Sequence, residues 1–252
     1  MSEDPTTLCE EGFEVRSLAV NYRAGARIDP HAHEWPQLVY AARGVITVEV
    51  DDGAWIVPPH RAVWVPAEAV HSIVMTGQVA MRTLYFSPTL IERLPRACQT
   101  IEVSPLLREL ILHITRIGAL DRRRPDQARL AAVLLDLLAA AQEVRLDLPS
   151  PRDPRAQRFA DMVTRNPADA GSNAALARKA GASLRTIERF FLAETGVAVG
   201  EWRRRVRLFH ALHLLEAGGS VTEVALEVGY DSTSAFCQAF RRQFGHSPKR
   251  RH

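Results

Sequence analysis

The chain has 252 residues, of which 46% are hydrophobic and 24% charged. This is the balance of a soluble globular protein long enough for two domains. With no run of about 18 apolar residues, no segment is expected to span a membrane. The acidic start MSEDPTTLCEEGFE predicts no signal peptide. Cys9, Cys98 and Cys237 show no paired spacing, so buried, inert thiols in a reducing cytoplasm are expected rather than a disulfide framework. The charge is uneven. Residues 1–150 carry 15 Lys+Arg against 19 Asp+Glu, a net −4, and residues 151–252 carry 17 against 10, a net +7. Only the second part is expected to meet a polyanion.

From about Val15 to Phe86, short apolar runs alternate with turn signals: VITVEV, Asp51-Asp52-Gly53, AWIVPP, AVWVPAEAV, HSIVM and AMRTLYF. In VITVEV, period-two alternation puts Ile46, Val48 and Val50 on one face. Asp52-Gly53 reads as a hairpin turn. Many short strands at even spacing predict a sandwich or barrel. Within this region, GARIDPHAHEWPQLVYAARG spans Gly25 to Gly44. His31 and His33, two residues apart on a strand, point the same way, and His71 is expected from a neighbouring strand. Three imidazoles, with Gln37 as a fourth, neutral donor, suit a divalent metal such as zinc, nickel, iron or copper. The competing reading is a pocket for an organic ligand, without metal. Glu34 faces away. Trp35, Trp55, Trp64 and Tyr85 are candidates to wall an effector pocket, the alternative being that they are core.

The spacing Gly25-x5-His31-x-His33-x3-Gln37-x6-Gly44 resembles the first motif of cupin barrels, which normally has glutamate where Gln37 stands. The second motif is weaker. Pro66 and His71 match it, but Glu68 stands where glycine is usual and Met75 where asparagine is. The resemblance implies a cupin-like β-barrel over residues 1–100, with an effector or metal in its mouth.

From Ser104 the period changes. Leu106, Leu107, Leu110, Ile111, Ile114 and Ile117 recur at helical spacing, as do Leu130, Val133, Leu134, Leu137 and Leu138 after the break at Asp121–Pro125. This predicts a helical hairpin over 101–145, packed on the β-domain or forming a dimer seam. LDLPSPRDPR, residues 146–155, reads as a linker.

The remainder, 156–252, reads as all-helical. In LARKAGASLRTIERFF, Leu176, Ala177 and Ala180 line a short helix, and Gly181 permits a sharp turn. Ser183 is placed to cap the next helix, and Ile187, Phe190 and Phe191 form its buried face. Arg185, Glu188 and Arg189 fall opposite. The plan repeats about 48 residues later in SVTEVALEVGYDSTSAFCQAFRRQFG. Ser220 and Glu223 form a capping box, Gly229 turns the chain, and Asp231 or Ser232 caps a helix buried through Ala235, Phe236, Ala239 and Phe240. Thr233, Ser234, Cys237, Gln238 and Arg241 are its outward set. Two helix-turn-helix units joined by a helix at Gly200–Ala217 suit two successive major grooves about 34 Å apart.

LARKAGASLRTIERFFLAETG and VTEVALEVGYDSTSAFCQAFRRQFGHSPKRR resemble the DNA-binding domain of AraC/XylS transcriptional regulators, over about 100 residues. The resemblance implies base reading by Arg185, Glu188 and Arg189, and by Thr233, Ser234 and Gln238, with backbone anchoring by Arg241, Arg242, Lys249, Arg250 and Arg251. It also implies a cytoplasmic bacterial regulator whose partners are double-stranded DNA, RNA polymerase, an effector and a second copy of the chain. The expected fold class is α+β and multidomain. The alternative is a metal-dependent cupin dioxygenase or isomerase fused to a DNA-binding domain; against it, no convincing acid–base pair accompanies the histidines.

Overall fold

A computed structural model describes residues 12–50, 53–93, 95–144, 147–169 and 171–248 of the chain. The fold is α+β, in two compact units: residues 1–51 with 55–147, and residues 148–252, with which the short stretch 52–54 at the start of one strand is grouped. Asp51, Asp52, Cys9, Lys249, Arg250 and Arg251 lie outside the described residues.

The first unit is mostly sheet. Its strands are β1 (Phe13–Tyr22), β2 (Arg27–His31), β3 (Gln37–Val50), β4 (Gly53–Val57), β5 (Arg61–Val65), β6 (His71–Phe86), β7 (Gln99–Glu102) and β8 (Ala119–Asp121). They run in the order β7-β5-β3-β6-β1-β8, with β2 also on β6 and β4 on β3. The sequence segments HSIVM and AMRTLYF are thus one 16-residue strand, and VITVEV is the second half of a 14-residue one. These two long strands pair antiparallel from Gln37↔Tyr85 to Val50↔His71, with register shifts around Arg43.

Among the described residues of this unit, two apolar clusters form. One contains Val39, Ile46, Val48, Val63, Ile73, Met75 and Met81. The other joins Leu38, Tyr40, Trp64, Leu84 and Phe86 to the helices α1 (Pro105–Ile117) and α2 (Pro125–Ala139). Alternation in β3 explains the division, since Leu38 and Tyr40 face the helices while Val39 and Ala41 face the other cluster.

The helical pair therefore belongs to the same compact unit as the sheet, and the short strand β8 lies between its helices. Its apolar stripes differ in detail from the sequence reading. Leu107, Leu110, Ile111 and Ile114 are buried on α1, whereas Leu106 and Ile117 are exposed. On α2 the buried residues are Gln127, Ala131, Leu134, Leu135 and Leu138, and Val133 is exposed. The leucine-rich run offers two overlapping helical stripes, and the fold buries the one containing Ala131 and Leu135. Burial also pushes the Cys98 thiol up to about 12, which leaves it unreactive.

The second unit is helical: α3 (Pro154–Arg165), α4 (Asn173–Lys179), α5 (Leu184–Thr195), α6 (Val199–Glu216), α7 (Val221–Glu227) and α8 (Thr233–Phe244). The expected linker is shorter than 146–155, because Asp153 already caps α3 by accepting from the amides of Arg155 and Ala156. Ser183, Ser220 and Ser232 cap α5, α7 and α8, and the Ser220–Glu223 capping box is present. Gly181 and Gly229 hold φ of +83° and +79° at the two turns, backbone that side chains disfavour. Phe159, Leu176, Ile187, Phe191, Val199, Trp202 and Val206 form one core. In α8 the buried stripe is Phe236, Phe240 and Phe244, so Ala235, expected inside, is exposed. Phe244 packs against Phe209 of α6, with ring centroids 5.9 Å apart.

His213 in α6 has a buried Nε2 without a hydrogen-bond partner among the described residues. Burial, reinforced by His210, pulls its pKa down to about 4. Between that value and the ordinary 6.5, the unfolded chain binds a proton that the native one refuses. Stability from this group is therefore complete above pH 6.5 and lost as pH falls towards 4, by about 3 kcal/mol. Thermal melts of the full chain at pH 7.5 and 5.0 are expected to show the helical unit destabilised in acid. A His213→Leu variant is expected to lose less.

Candidate functional site

Two sets of side chains stand out, one in each unit. The first lies on α5 and α8. On α5, Ile187 and Phe191 are buried and Phe190 is half-buried, so Arg185, Glu188 and Arg189 are left exposed on the far face. Arg189 lays its guanidinium 5.1 Å from the Phe190 ring centroid, and Arg155 of α3 lies 5.0 Å from the same ring. On α8, Ser234, Gln238 and Arg241 are exposed and Thr233 is half-buried. A shallow cleft there is lined by Ser234, Ala235, Cys237, Gln238, Arg241 and Arg242. Arg241 also donates to Ser247 Oγ at 2.7 Å, which steadies it past the helix end.

The N-terminal half of α6 contributes Val199, Trp202 and Val206 to the core beneath α5, and its Phe209 packs with α8. Eighteen helical residues span about 27 Å, of the same order as the ~34 Å between successive turns of a duplex. Not all the basic charge of this unit is free. Arg158 donates to Ala180 O, Arg203 to Asp169 O and Gly171 O, and Arg207 to Pro167 O. These guanidiniums brace the loops around α4.

The second set is in the sheet unit. His31 of β2 sits directly opposite His71 of β6, and Gln37 of β3 directly opposite Tyr85 of β6. His71 and Tyr85 are 14 residues apart on one strand, about 46 Å if it were straight. Yet the His33 ring centroid lies 5.1 Å from that of His71 and 5.3 Å from that of Tyr85. The strand therefore curls until its two ends flank His33, the geometry of a barrel wall. A ligand nitrogen from each of His31, His33 and His71 falls within 4.8 Å of the others. Gln37 Oε1 lies 3.2 Å from His33 Nε2 and 3.1 Å from His71 Nε2. Glu68 stands between the second-motif residues with φ +62°, which explains why glycine is usual there. Its amide donates to His33 O and ties the turn before His71 to the first motif.

The donor chemistry of this cluster suits a cation. Nδ1 of His71 faces Ala69 O at 2.8 Å, and Nδ1 of His31 faces Asp29 O at 2.8 Å. A carbonyl only accepts, so each Nδ1 carries a proton, and wherever the ring is neutral its Nε2 is the bare nitrogen. Burial lowers the pKa of His71 to about 4 and lowers that of His33 as well, with the bond to Gln37 opposing the latter shift. The His71 imidazole is therefore neutral at pH 7. Nε2 of His71 then presents a lone pair to the amide oxygen of Gln37, two acceptors face to face, and a divalent ion between them satisfies both.

The aromatic candidates divide. Tyr85 is at the site, with its hydroxyl accepting from Gln37 Nε2 at 3.0 Å and its pKa pushed up to about 12 by burial. Trp35 is buried, and Trp55 is half-buried against the cluster that holds Met75 and Met81. Of the two readings open for Trp64, its surroundings match the core one. Its ring is in the other cluster, against Phe86, and its Nε1 donates to Pro95 O. It is a core residue between sheet and helices. Thr83, which bonds Gln37, was missed because a lone threonine in a strand carries no sequence signal.

Residues 18–152 match the AraC-like ligand binding domain family, and residues 176–251 match a helix-turn-helix domain family. The chain is 34% identical to the HTH-type transcriptional regulator NimR of Escherichia coli (strain K12) over 220 residues, which covers 87% of this chain and 80% of that protein. It belongs to the AraC family of transcriptional regulators. Another family member, the HTH-type transcriptional regulator RipA of Corynebacterium glutamicum, is 42% identical over 101 residues, 40% of this chain and 30% of that protein. The fold is similar to ToxT from Vibrio cholerae, solved with an unsaturated fatty acid bound, at a TM-score of 0.41 and 9% identity over 95% of this chain and 94% of that one. This AraC-family chain is thus a DNA-binding transcriptional regulator with an N-terminal ligand-binding domain, not an enzyme. Among the described residues, no helix is long and apolar enough to cross a membrane.

Proposed function

We propose that His31, His33, His71 and Gln37 form the effector site of this regulator, and that the site takes a divalent cation such as zinc, nickel or iron. The observation that carries this reading is the convergence of three imidazole nitrogens within 4.8 Å, with an amide oxygen reaching two of the rings. A bound ion supplies a double positive charge at the point where these donors converge. The chain's own part is to hold His31 and His71 by their Nδ1 protons and to keep the cluster partly out of water. Control of transcription then requires that the cation bind two arrangements of the protein with different affinity.

On the DNA side, Arg185, Glu188 and Arg189 read bases from α5, and Ser234 and Gln238 from α8, with Thr233 and Arg241 beside them. Arginine reaches guanine with two bonds, glutamine adenine, and glutamate the cytosine amine. The exposed Leu106, Ile117 and Val133 of the helical pair are the proposed seam of a homodimer, and RNA polymerase is the proposed downstream partner.

The test selects bound genomic fragments with the full-length protein, then measures operator affinity after chelation and after reloading with Zn(II), Ni(II) or Fe(II). Binding is expected to weaken steeply with salt, and one of the metals is expected to change affinity by at least about 5-fold. A response to none of them, in a protein that still binds its operator, overturns the cation reading and leaves an organic effector.

A further inference from the structure

We propose that Thr83 is a positioning residue that locks Gln37 with its carbonyl towards the three histidines, making the amide oxygen the fourth, neutral donor of the cluster. This rests on the cation reading above. The side-chain amide of glutamine has an oxygen and a nitrogen of similar shape, and a free one presents either to its neighbours. Here the choice is forced by a chain of bonds. The Thr83 hydroxyl lies 3.0 Å from Leu38 O, which only accepts, so its single hydrogen points there. The hydroxyl oxygen is then left as an acceptor towards Gln37, 2.8 Å away. Only the Nε2 end of Gln37 satisfies it. Oε1 must turn the other way, towards Nε2 of His33 and of His71.

Tyr85 takes the second amide hydrogen at 3.0 Å, but no orientation follows from that contact, because a tyrosine hydroxyl donates as readily as it accepts. Thr83 and Gln37 are both essentially inaccessible to water, so no solvent competes for the lock. β6 sets the geometry. Thr83 and Tyr85, two residues apart, share the face on which Gln37 lies opposite Tyr85. The donor set that results holds no carboxylate among its members.

The experiment titrates Co(II) into the chelator-stripped full-length protein and follows the visible ligand-field bands, for the wild type and for Thr83→Val, Thr83→Ser and Tyr85→Phe. Thr83→Val keeps the shape and removes the hydroxyl. It is expected to weaken Co(II) affinity 10–100-fold, the range for loss of an outer-shell partner, and to shift the band positions as the amide is freed to turn. Thr83→Ser restores the hydroxyl and is expected to restore both readouts. Tyr85→Phe is expected to change affinity less than about 3-fold, since it leaves the lock intact. Melting curves of the stripped proteins separate a folding defect from a binding one. If Thr83→Val fails to fold, Thr83→Ser and Tyr85→Phe carry the comparison: a serine variant that loses Co(II), or a Tyr85→Phe loss of 10-fold or more, overturns the assignment. So does Co(II) binding by a folded Thr83→Val protein that matches the wild type. A wild-type protein that binds no Co(II) overturns instead the cation reading on which the assignment rests.

Discussion

Replacing Arg185 and Arg189 together by alanine is expected to lower affinity for the selected operator by about 10²–10³-fold, while affinity for random duplex falls less than about 10-fold. The two side chains are four residues apart, one helical turn, on the exposed face of α5. Each bidentate contact to guanine contributes about 1–3 kcal/mol of discrimination. Being neighbours, the pair is not expected to add fully. Random duplex senses only the two lost charges, and the remaining cationic surface still releases counterions. Fluorescence anisotropy at two salt concentrations, on operator and scrambled duplexes, separates the two losses. Parallel loss on both duplexes would show that these arginines contact phosphate. Gln238→Ala is the companion on α8, where the short side chains of Thr233 and Ser234 leave glutamine and Arg241 as the only long reaches among the proposed set.

Much of this was legible in the sequence because it was local. Helix caps sit within three residues of the amide they satisfy, so Ser183, Ser220 and Glu223 announce α5 and α7 directly. The turn glycines are equally local, and Gly181 and Gly229 have the backbone the motif demands. The histidine cluster was legible by analogy of spacing. His31 and His33 are close in sequence, but bringing His71 to them depends on the pairing of β2 with β6, a long-range fact.

What was not legible depended on choices between equivalent local patterns. On α2 the sequence stripe contained Leu134 and Leu138, which are buried, but it included Val133, which is exposed, and omitted Ala131 and Leu135, and only the position of the sheet decides between them. Trp64 follows the same logic. One register step on β5 separates a side chain in one cluster from a side chain in the other, and an aromatic residue fits both. The Thr83–Gln37 bond spans 46 positions and has no signature in either segment. The departure of Glu68 from the second motif's glycine was visible, but its meaning was not. The structure shows that the left-handed turn is kept, and that the turn amide still reaches His33.

His31→Ala is expected to lower cation affinity by on the order of 100-fold or more, beyond the loss from any outer-shell change, while the stripped protein melts within about 2 °C of the wild type. His31 is the informative member because it is only half-buried, and its Nδ1 contact to Asp29 O is exposed. Its removal leaves no core cavity, whereas His71, 1% exposed, cannot be cut without one. Linkage makes the difference readable in a melt. At a free ion concentration of 100 times the wild-type Kd, binding stabilises the sheet unit by about 2.7 kcal/mol, or roughly 5–10 °C in a unit of this size. A 100-fold weaker site at the same concentration contributes only about 0.4 kcal/mol, close to 1 °C. The ion-dependent shift should therefore nearly vanish in His31→Ala while the ion-free melt stays put. An equal shift in both proteins places the ion elsewhere, and a collapsed ion-free melt makes His31 a structural residue of the barrel mouth.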